Sequence, residues 1–326
     1  MRILIMGGTK FVGRHLATTA IAAGHDVTLL NRGKSGGDLF GDSVRPLLAD
    51  RDDPDALTAA LADGEWDVTI DVCAYVPGQV TALADALGGR GGQLAFVSTS
   101  SVYDPEGPGF TEDSRLLELD GPVPTESTPA TYGGLKVLCE RVALDRFGPA
   151  TLIVRPTYVV GPWDHHGTLD YWAHRVARGG EVLAPGDPDA PMQIIDARDI
   201  ADFTLAGVAT GLAGTFHLVG DSGTATFREL LDAVRDAVGP PGTTFTWVDD
   251  AFLLAEGDRL PLWSAGDPSE DLISTADPRA SLAAGLTVRS VATSARDVLD
   301  SPATGMSADR EAELLTRWHA RADLAG

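Results

Sequence analysis

Lysine is nearly missing from this sequence: Lys10, Lys34 and Lys136 are the only three in 326 residues. Cations of either kind are the minority, Lys+Arg 25 against Asp+Glu 47, for a formal net charge of −22. Nucleic-acid binders draw much of their affinity from basic side chains neutralising phosphates, so this balance argues against one. It argues equally against docking on anionic lipid. Cysteine is scarce too. Cys73 and Cys139 cannot build a disulfide framework and neither sits in a CxxC pair, so two reduced thiols in a cytoplasmic protein are expected. Long apolar runs are also lacking. The opening run ends at a glycine pair, short of a secretory signal or a bilayer span. The partners expected are therefore a small molecule, no nucleic acid and no membrane, with a homodimer left open.

What is present is an ordinary globular composition, 44% hydrophobic and 22% charged, long enough for one large domain or a domain plus a lobe. Apolar runs of strand length, at 3–6, 27–30, 44–48, 68–72, 94–98 and 151–154, alternate with helical patterns at 11–23, 54–61, 79–87 and 132–146. That alternation predicts α/β architecture, a doubly wound parallel sheet covered on both faces. After Arg155-Pro156 the rhythm changes, and Gly, Pro, Trp and His crowd residues 161–191. Strands at 192–195 and 214–219 are expected to rejoin the sheet around a helix at 197–210, with later helices at 227–238, 278–284 and 308–321. The expected division is a dinucleotide-binding domain at 1–160 and 191–220, with a smaller C-terminal substrate-binding lobe at 161–190 and 221–326.

Ligands of such sheets sit beyond the carboxyl ends of the strands. The first such turn, Gly7-Gly8-Thr9-Lys10-Phe11-Val12-Gly13, leads from a strand into a helix, which lets backbone approach a pyrophosphate and aims helix N-terminal amides at it. Here the chain resembles the extended short-chain dehydrogenase/reductases of the NAD-dependent epimerase/dehydratase family, whose Rossmann turn reads GxxGxxG. Lys10 stands at the middle glycine, and the GGTKF form resembles an atypical branch that includes chloroplast stem-loop-binding proteins. Lys10 either adds a phosphate contact or lies in solvent. After the second strand, an NAD site places a carboxylate and an NADP site an arginine. This chain has Asn31, then Arg32 and Lys34, so NADP(H) is favoured and NAD(H) stays open. The resemblance further implies cofactor contacts at Asp50, as the adenine acceptor, with Arg51 beside it, at Cys73-Ala74-Tyr75, and at Pro156 and Tyr158.

Tyr132-Gly133-Gly134-Leu135-Lys136 puts a phenol and an ammonium one helical turn apart. The ammonium is expected to pull the phenol's pKa down toward use as a general acid/base. Aligning Val102-Tyr103 with the family's VYG puts Thr99 at the hydroxyl that holds the substrate oxygen. Ser98 and Ser100 are its competitors, and Ser100 is taken as a substrate contact. Sugar dehydratases of the family carry Asp-Glu where this chain has Ser100-Ser101, so that elimination is not expected. Nucleotide-sugar enzymes commonly have Asn at Tyr158 and Arg at Met192, both toward the substrate diphosphate. Tyr158, Trp163, Tyr171, Trp172 and Met192 instead suit an aromatic or apolar substrate, with core packing the plain alternative. His166, Asp170 and His174 are spaced to stack on one helix face. Gly167 interrupts that stretch, so no metal is expected and His166 is taken as a pocket group. The expected activity is hydride transfer between nicotinamide and a carbinol or ketone of a small molecule, with Thr99, Tyr132 and Lys136 as the catalytic set. A nucleotide-sugar epimerase and a non-catalytic nucleotide-sensing or RNA-binding protein are the alternatives.

Overall fold

The computed structural model describes residues 1–36, 38–104, 107–220 and 225–325, the side chains of 268, 269 and 322–325 excepted. Two compact units emerge, Met1–Thr157, Ala197–Val219 and Ala276–Thr287 forming the first, and Tyr158–Asp196, Gly220–Thr275 and Val288–Gly326 the second.

The first unit opens with β1 (Arg2–Met6), α1 (Phe11–Ala22), β2 (Asp26–Asn31), β3 (Arg45–Leu48), α2 (Pro54–Leu61), β4 (Val68–Asp71), α3 (Pro77–Leu87), β5 (Gln93–Val97), α4 (Tyr132–Phe147) and β6 (Leu152–Pro156). The second unit then takes β7 (Tyr158–Val160), α5 (Thr168–Ala177), β8 (Glu181–Pro185), β9 (Pro191–Met192) and β10 (Ile194–Asp196). The chain returns to the first unit for α6 (Ala197–Thr210) and β11 (Gly214–Leu218). After β12 (Ala225–Thr226), α7 (Phe227–Val238), β13 (Thr244–Val248), α8 (Asp250–Glu256) and α9 (Pro268–Ile273) in the second, α10 (Arg279–Ala283) belongs to the first, and α11 (Val291–Asp297) and α12 (Ala308–Ala325) to the second.

In the first unit seven strands form one parallel sheet in the order β11-β6-β5-β4-β1-β2-β3. The central strands are buried along nearly their whole length, which is why their sequences read as unbroken apolar runs rather than alternating ones. Strand order reverses between β1 and β4, opening the crevice in which ligands of such sheets bind. Asp53 starts α2 by accepting from the amides of Asp55 and Ala56, with Pro54 at the first helical position. At the sheet edge, β3 is largely exposed and carries Arg45 and Pro46. The Ala49 amide just beyond it bonds the Asn31 carbonyl of β2 at 3.1 Å.

The second unit is built from short ladders, β10 with β7, β12 with β9 and β13 with β8. Its core sets Trp172, Phe227 and Trp247 edge-on in sequence, with ring centroids 5.6 and 5.8 Å apart. Thr226 and Glu229 close a capping box at the head of α7.

Two expectations change. The run at 192–195 does not rejoin the large sheet. It splits into β9 and β10, each paired within the second unit, while β11 pairs with the whole length of β6 and fills that side. Residues 276–287 fall in the first unit rather than the lobe, because α10 packs on β11. Among the described residues no helix is long and apolar enough to cross a membrane.

Candidate active site

The glycine turn lies between β1 and α1. Gly7 has φ 105°, a conformation closed to most side chains. A Cβ on Gly13 would stand 2.7 Å from the Gly8 amide nitrogen, so α1 reaches the turn only because residue 13 is glycine. Lys10, at the family's glycine position, is extended at φ −131° and ψ 146°, so a side chain is carried there without strain. Lys10 does not cap α1 with its own side chain. The hydroxyls of Thr9 and Ser35 meet at 3.0 Å and tie the turn to the segment leaving β2. In that segment Asn31 Oδ1 accepts from the Gly33 amide at 2.8 Å, shaping a tight turn that leaves Arg32 and Lys34 exposed. The turn and helix start fit the phosphates of a dinucleotide, and Arg32 and Lys34 stand exposed after β2.

Arg51, expected beside the cofactor, turns inward. Its guanidinium forks onto Asp71, both bonds at 2.9 Å, and also donates to Cys73 Sγ at 3.1 Å and the Gln79 carbonyl at 3.3 Å. Burial works against the Asp71 charge, but Arg51 holds this carboxyl below its usual range. Burial pushes the Cys73 thiol up, and its Sγ donates to the Met6 carbonyl at 3.3 Å. Sequence reading missed Asp71, although a lone carboxylate ending an apolar strand is a signal that a buried cation lies nearby. Asp50 remains half-buried, accepting from the Asp52 amide at 3.2 Å.

Thr99 follows β5 and opens a single 3-10 turn at Ser100–Val102, its Oγ1 accepting from the Ser101 amide at 3.1 Å. The first turn of α4 packs against that turn so closely that a Cβ on Gly133 would lie 2.0 Å from the Ser101 carbonyl oxygen. This approach sets Tyr132 near Thr99, whose Oγ1 donates to Ser101 Oγ at 3.2 Å. All three of Ser98, Thr99 and Ser100 are buried, and of them Thr99 is the hydroxyl that acts on the Tyr132 phenol. The Tyr75 ring lies 6.4 Å from that of Tyr132. Burial pushes the Tyr132 phenol up to about 12, Tyr75 adds to the rise, and Thr99 works against it.

Lys136 is 3% exposed. Its ammonium donates to the Ala74 carbonyl at 3.0 Å and the Val97 carbonyl at 2.9 Å, and lies 4.1 Å from the centre of the Phe96 ring. Burial pushes that ammonium below its ordinary value. The expected lowering of the Tyr132 pKa by Lys136 is therefore not what this arrangement produces, because the ammonium is spent on the Ala74 carbonyl after β4 and the Val97 carbonyl at the end of β5. Pro156 closes β6 opposite Leu218, fully within the sheet.

The remaining expected residues belong to the second unit. Tyr171 is 2% exposed and Trp172 fully buried within the core, so packing and not a ligand accounts for both. The Tyr158 hydroxyl donates to Glu270 at 3.1 Å, and burial together with Glu270 raises its pKa. Trp163 is exposed at the left-handed φ of 67°. His166 lies outside α5, because Gly167 at φ 69° starts that helix and Asp164 accepts from the His166 and Thr168 amides, both at 2.9 Å. The stack of His166, Asp170 and His174 therefore does not form, and His174 Nε2 instead bonds the Ser301 carbonyl at 2.7 Å. Met192 lines a pocket with Trp263, Asp187, Asp250 and Asp271, none of which local patterning singled out, since they come from separate segments and share no motif.

The model of the NAD dependent epimerase/dehydratase family matches residues 3–216. The chain is 27% identical over 258 residues to the chloroplast stem-loop binding protein of 41 kDa b of Arabidopsis thaliana, covering 74% of this chain and 64% of that protein's length. It is 27% identical over 287 residues to the 2'-dehydrokanamycin reductase of Streptomyces kanamyceticus, covering 79% and 75%. The structure of the UDP-glucose 4-epimerase of Thermus thermophilus in complex with NAD superposes with a TM-score of 0.67 at 18% identity, over 93% of this chain and 100% of that one.

Proposed function

The chain belongs to the NAD dependent epimerase/dehydratase family, and from that premise we propose that it is an NADP(H)-preferring reductase or dehydrogenase acting at a carbonyl or carbinol carbon of a small molecule. The observation that carries this reading is the placement of Tyr132 at the head of α4, near Thr99 and with Lys136 buried one helical turn on. The glycine turn would hold the pyrophosphate, Arg32 and Lys34 the extra phosphate, and Asp50 the adenine. The dinucleotide supplies the hydride. Tyr132, held protonated at neutral pH by burial, donates a proton to the developing alkoxide, the form that carbonyl reduction consumes. Thr99 fixes the substrate oxygen beside it. Lys136 fixes the segment after β4 and the end of β5 against α4 through the Ala74 and Val97 carbonyls, and so orients the phenol. The reductase relative supports this direction. Met192 and Tyr158, in place of the family's diphosphate partners, weigh against a nucleotide-sugar epimerase, and the net charge of −22 weighs against RNA.

The test is a melting-temperature comparison of NADPH and NADH, followed by NADPH oxidation over a ketone panel. NADPH should stabilise more, and Arg32→Ala with Lys34→Ala should remove the difference. Tyr132→Phe should lower turnover by about 10²- to 10⁴-fold on whichever ketone is reduced; turnover that survives it would sink the assignment.

A further inference from the structure

Of the five tyrosines Tyr75 is the exposed one, with 48% of its surface open to solvent. It follows β4, at the carboxyl end of the sheet where ligands of such folds bind. Its ring centre lies 6.4 Å from that of Tyr132, the two planes inclined at 42°. The backbone is held on both sides of it. Before it, the Ala74 carbonyl accepts from the buried Lys136 ammonium at 3.0 Å. The Tyr75 amide donates to Gln79 Oε1 at 2.8 Å, and Gln79 Nε2 donates in turn to Asp52 Oδ1 at 2.7 Å. Val76 then caps α3, with Pro77 at the first helical position. All of these residues belong to the first unit, so the relation of Tyr75 to Tyr132 is set inside one compact body. An aromatic side chain ordinarily contributes to stability through the area it buries. Here nearly half of that area faces solvent, beside the acid–base phenol and on a fixed backbone.

We propose that Tyr75 determines substrate specificity: its ring is an aromatic wall beside Tyr132 that takes a flat aromatic ring borne by the ketone, so that the substrate is an aryl ketone and not a saturated or open-chain one. The inference rests on the reading of Tyr132 as the proton donor. A carbonyl oxygen bonded to the Tyr132 hydroxyl places the substituents of its carbon among the groups around that phenol, and among the described residues Tyr75 is the ring that meets it. Aromatic pairs gain most when offset-stacked or edge-to-face. At 42° the two phenols are neither, so the face of Tyr75 is not spent on Tyr132. A flat ring reaching that face gains the quadrupole contact as well as the burial, whereas a saturated ring of equal size gains the burial alone. Because the Tyr75 backbone is already fixed by Lys136 and Gln79, little ordering remains to oppose the contact.

The experiment compares acetophenone with cyclohexyl methyl ketone, a matched flat and saturated pair, on the full chain. Dissociation constants come from ligand-observed NMR titration in the presence of NADP+, which lacks the hydride and so leaves the ketones intact, and kcat/KM comes from NADPH oxidation. The parent should bind acetophenone the more tightly. In Tyr75→Leu the ratio of the two dissociation constants should fall about three- to tenfold, the scale of one aromatic pair, and the ratio of kcat/KM values should fall with it. Comparing ratios between parent and variant cancels the intrinsic reactivities of the two ketones. Tyr75→Phe, which keeps the ring and removes the hydroxyl, should keep the parent's ratio. An unchanged ratio in Tyr75→Leu, a ratio lost equally in Tyr75→Phe, or binding of neither ketone by the parent overturns the inference. So does a Tyr75→Leu chain whose loss is confined to NADPH affinity, since the ring then serves the dinucleotide. Turnover that responds to Tyr132→Phe, with a ketone ratio that ignores Tyr75, fails this inference alone. A Tyr75-dependent binding ratio without turnover of any ketone fails the proposed function alone.

Discussion

Asp170 sits in α5 at 1% exposure, and its Oδ2 has no hydrogen-bond partner. Burial first, and then the neighbouring Asp164, push its carboxyl up to about 6, against Ser301 and His174, which act to lower it. The sign of the consequence is the reverse of that for a salt-bridged carboxylate. Between the ordinary value of 3.8 and about 6 the unfolded chain releases a proton that the folded chain keeps. Folding stability from this residue is therefore intact below pH 4, falls as pH rises through that window, and is fully lost above it. Asp170→Asn removes the ionisation, so its melting temperature relative to the parent should climb between pH 4 and pH 7. A difference that stays flat across that range in calorimetry would contradict the placement of Asp170. At the same scale Tyr132 and Lys136 were readable in advance, because one helical turn is a local relation. Arg51 was not: its partner Asp71 lies on another strand, and nothing near residue 51 announces that a fork of two bonds waits there.

Helix α4 shows an element whose packing reverses its own propensity. Alanine is ordinarily worth about 1 kcal/mol over glycine inside a helix, and α4 begins Tyr132-Gly133-Gly134. At Gly133 the obstacle is backbone, the Ser101 carbonyl at 2.0 Å from the added Cβ. Gly133→Ala should therefore cost about 1–3 kcal/mol in urea unfolding, the scale of overpacking, and should reduce turnover by parting Tyr132 from Thr99. At Gly134 the obstacle is the Leu119 side chain at 2.6 Å, which can rotate, so Gly134→Ala should stay within about 1 kcal/mol of the parent. Equal costs at the two positions would show that side-chain crowding, not the Ser101 carbonyl, limits the approach. The elements themselves were legible to very different degrees. Runs buried on both faces, such as β1, β4 and β5, declare themselves by unbroken apolar sequence, and α2 and α7 begin on the capping residues Asp53 and Thr226. β7, β8 and β13 were hidden in Gly- and Pro-rich surroundings. The apolar run at 192–195 was visible, but apolarity does not say which neighbour a strand will choose. The free side of β6 went to β11, and β9 and β10 found partners elsewhere.

At the scale of the whole molecule the excess of 22 negative charges stores repulsion that folding concentrates and salt relieves. At low ionic strength charges interact over long distances, whereas at 0.1 M the screening length is about 10 Å. The melting temperature should therefore rise as NaCl is raised from about 10 mM to 0.1 M; a fall would mean that attractive ion pairs outweigh the net repulsion. Charge alone does not keep such sheets apart, and here β3 matters. In a parallel strand both polar groups of one residue point to the same side, and the side alternates along the chain. The Ala49 amide faces β2, so residues 46 and 48 face outward, and residue 46 is proline, which has no N–H to give. A second molecule adding its own strand at this border would thus find one donor of the ladder already deleted. Pro46→Val would restore it and should make the chain grow end to end, seen as rising light scattering at constant melting temperature. Resistance to strand-on-strand association at this border is thus written partly in the net charge and partly in one absent hydrogen at the last strand of the sheet.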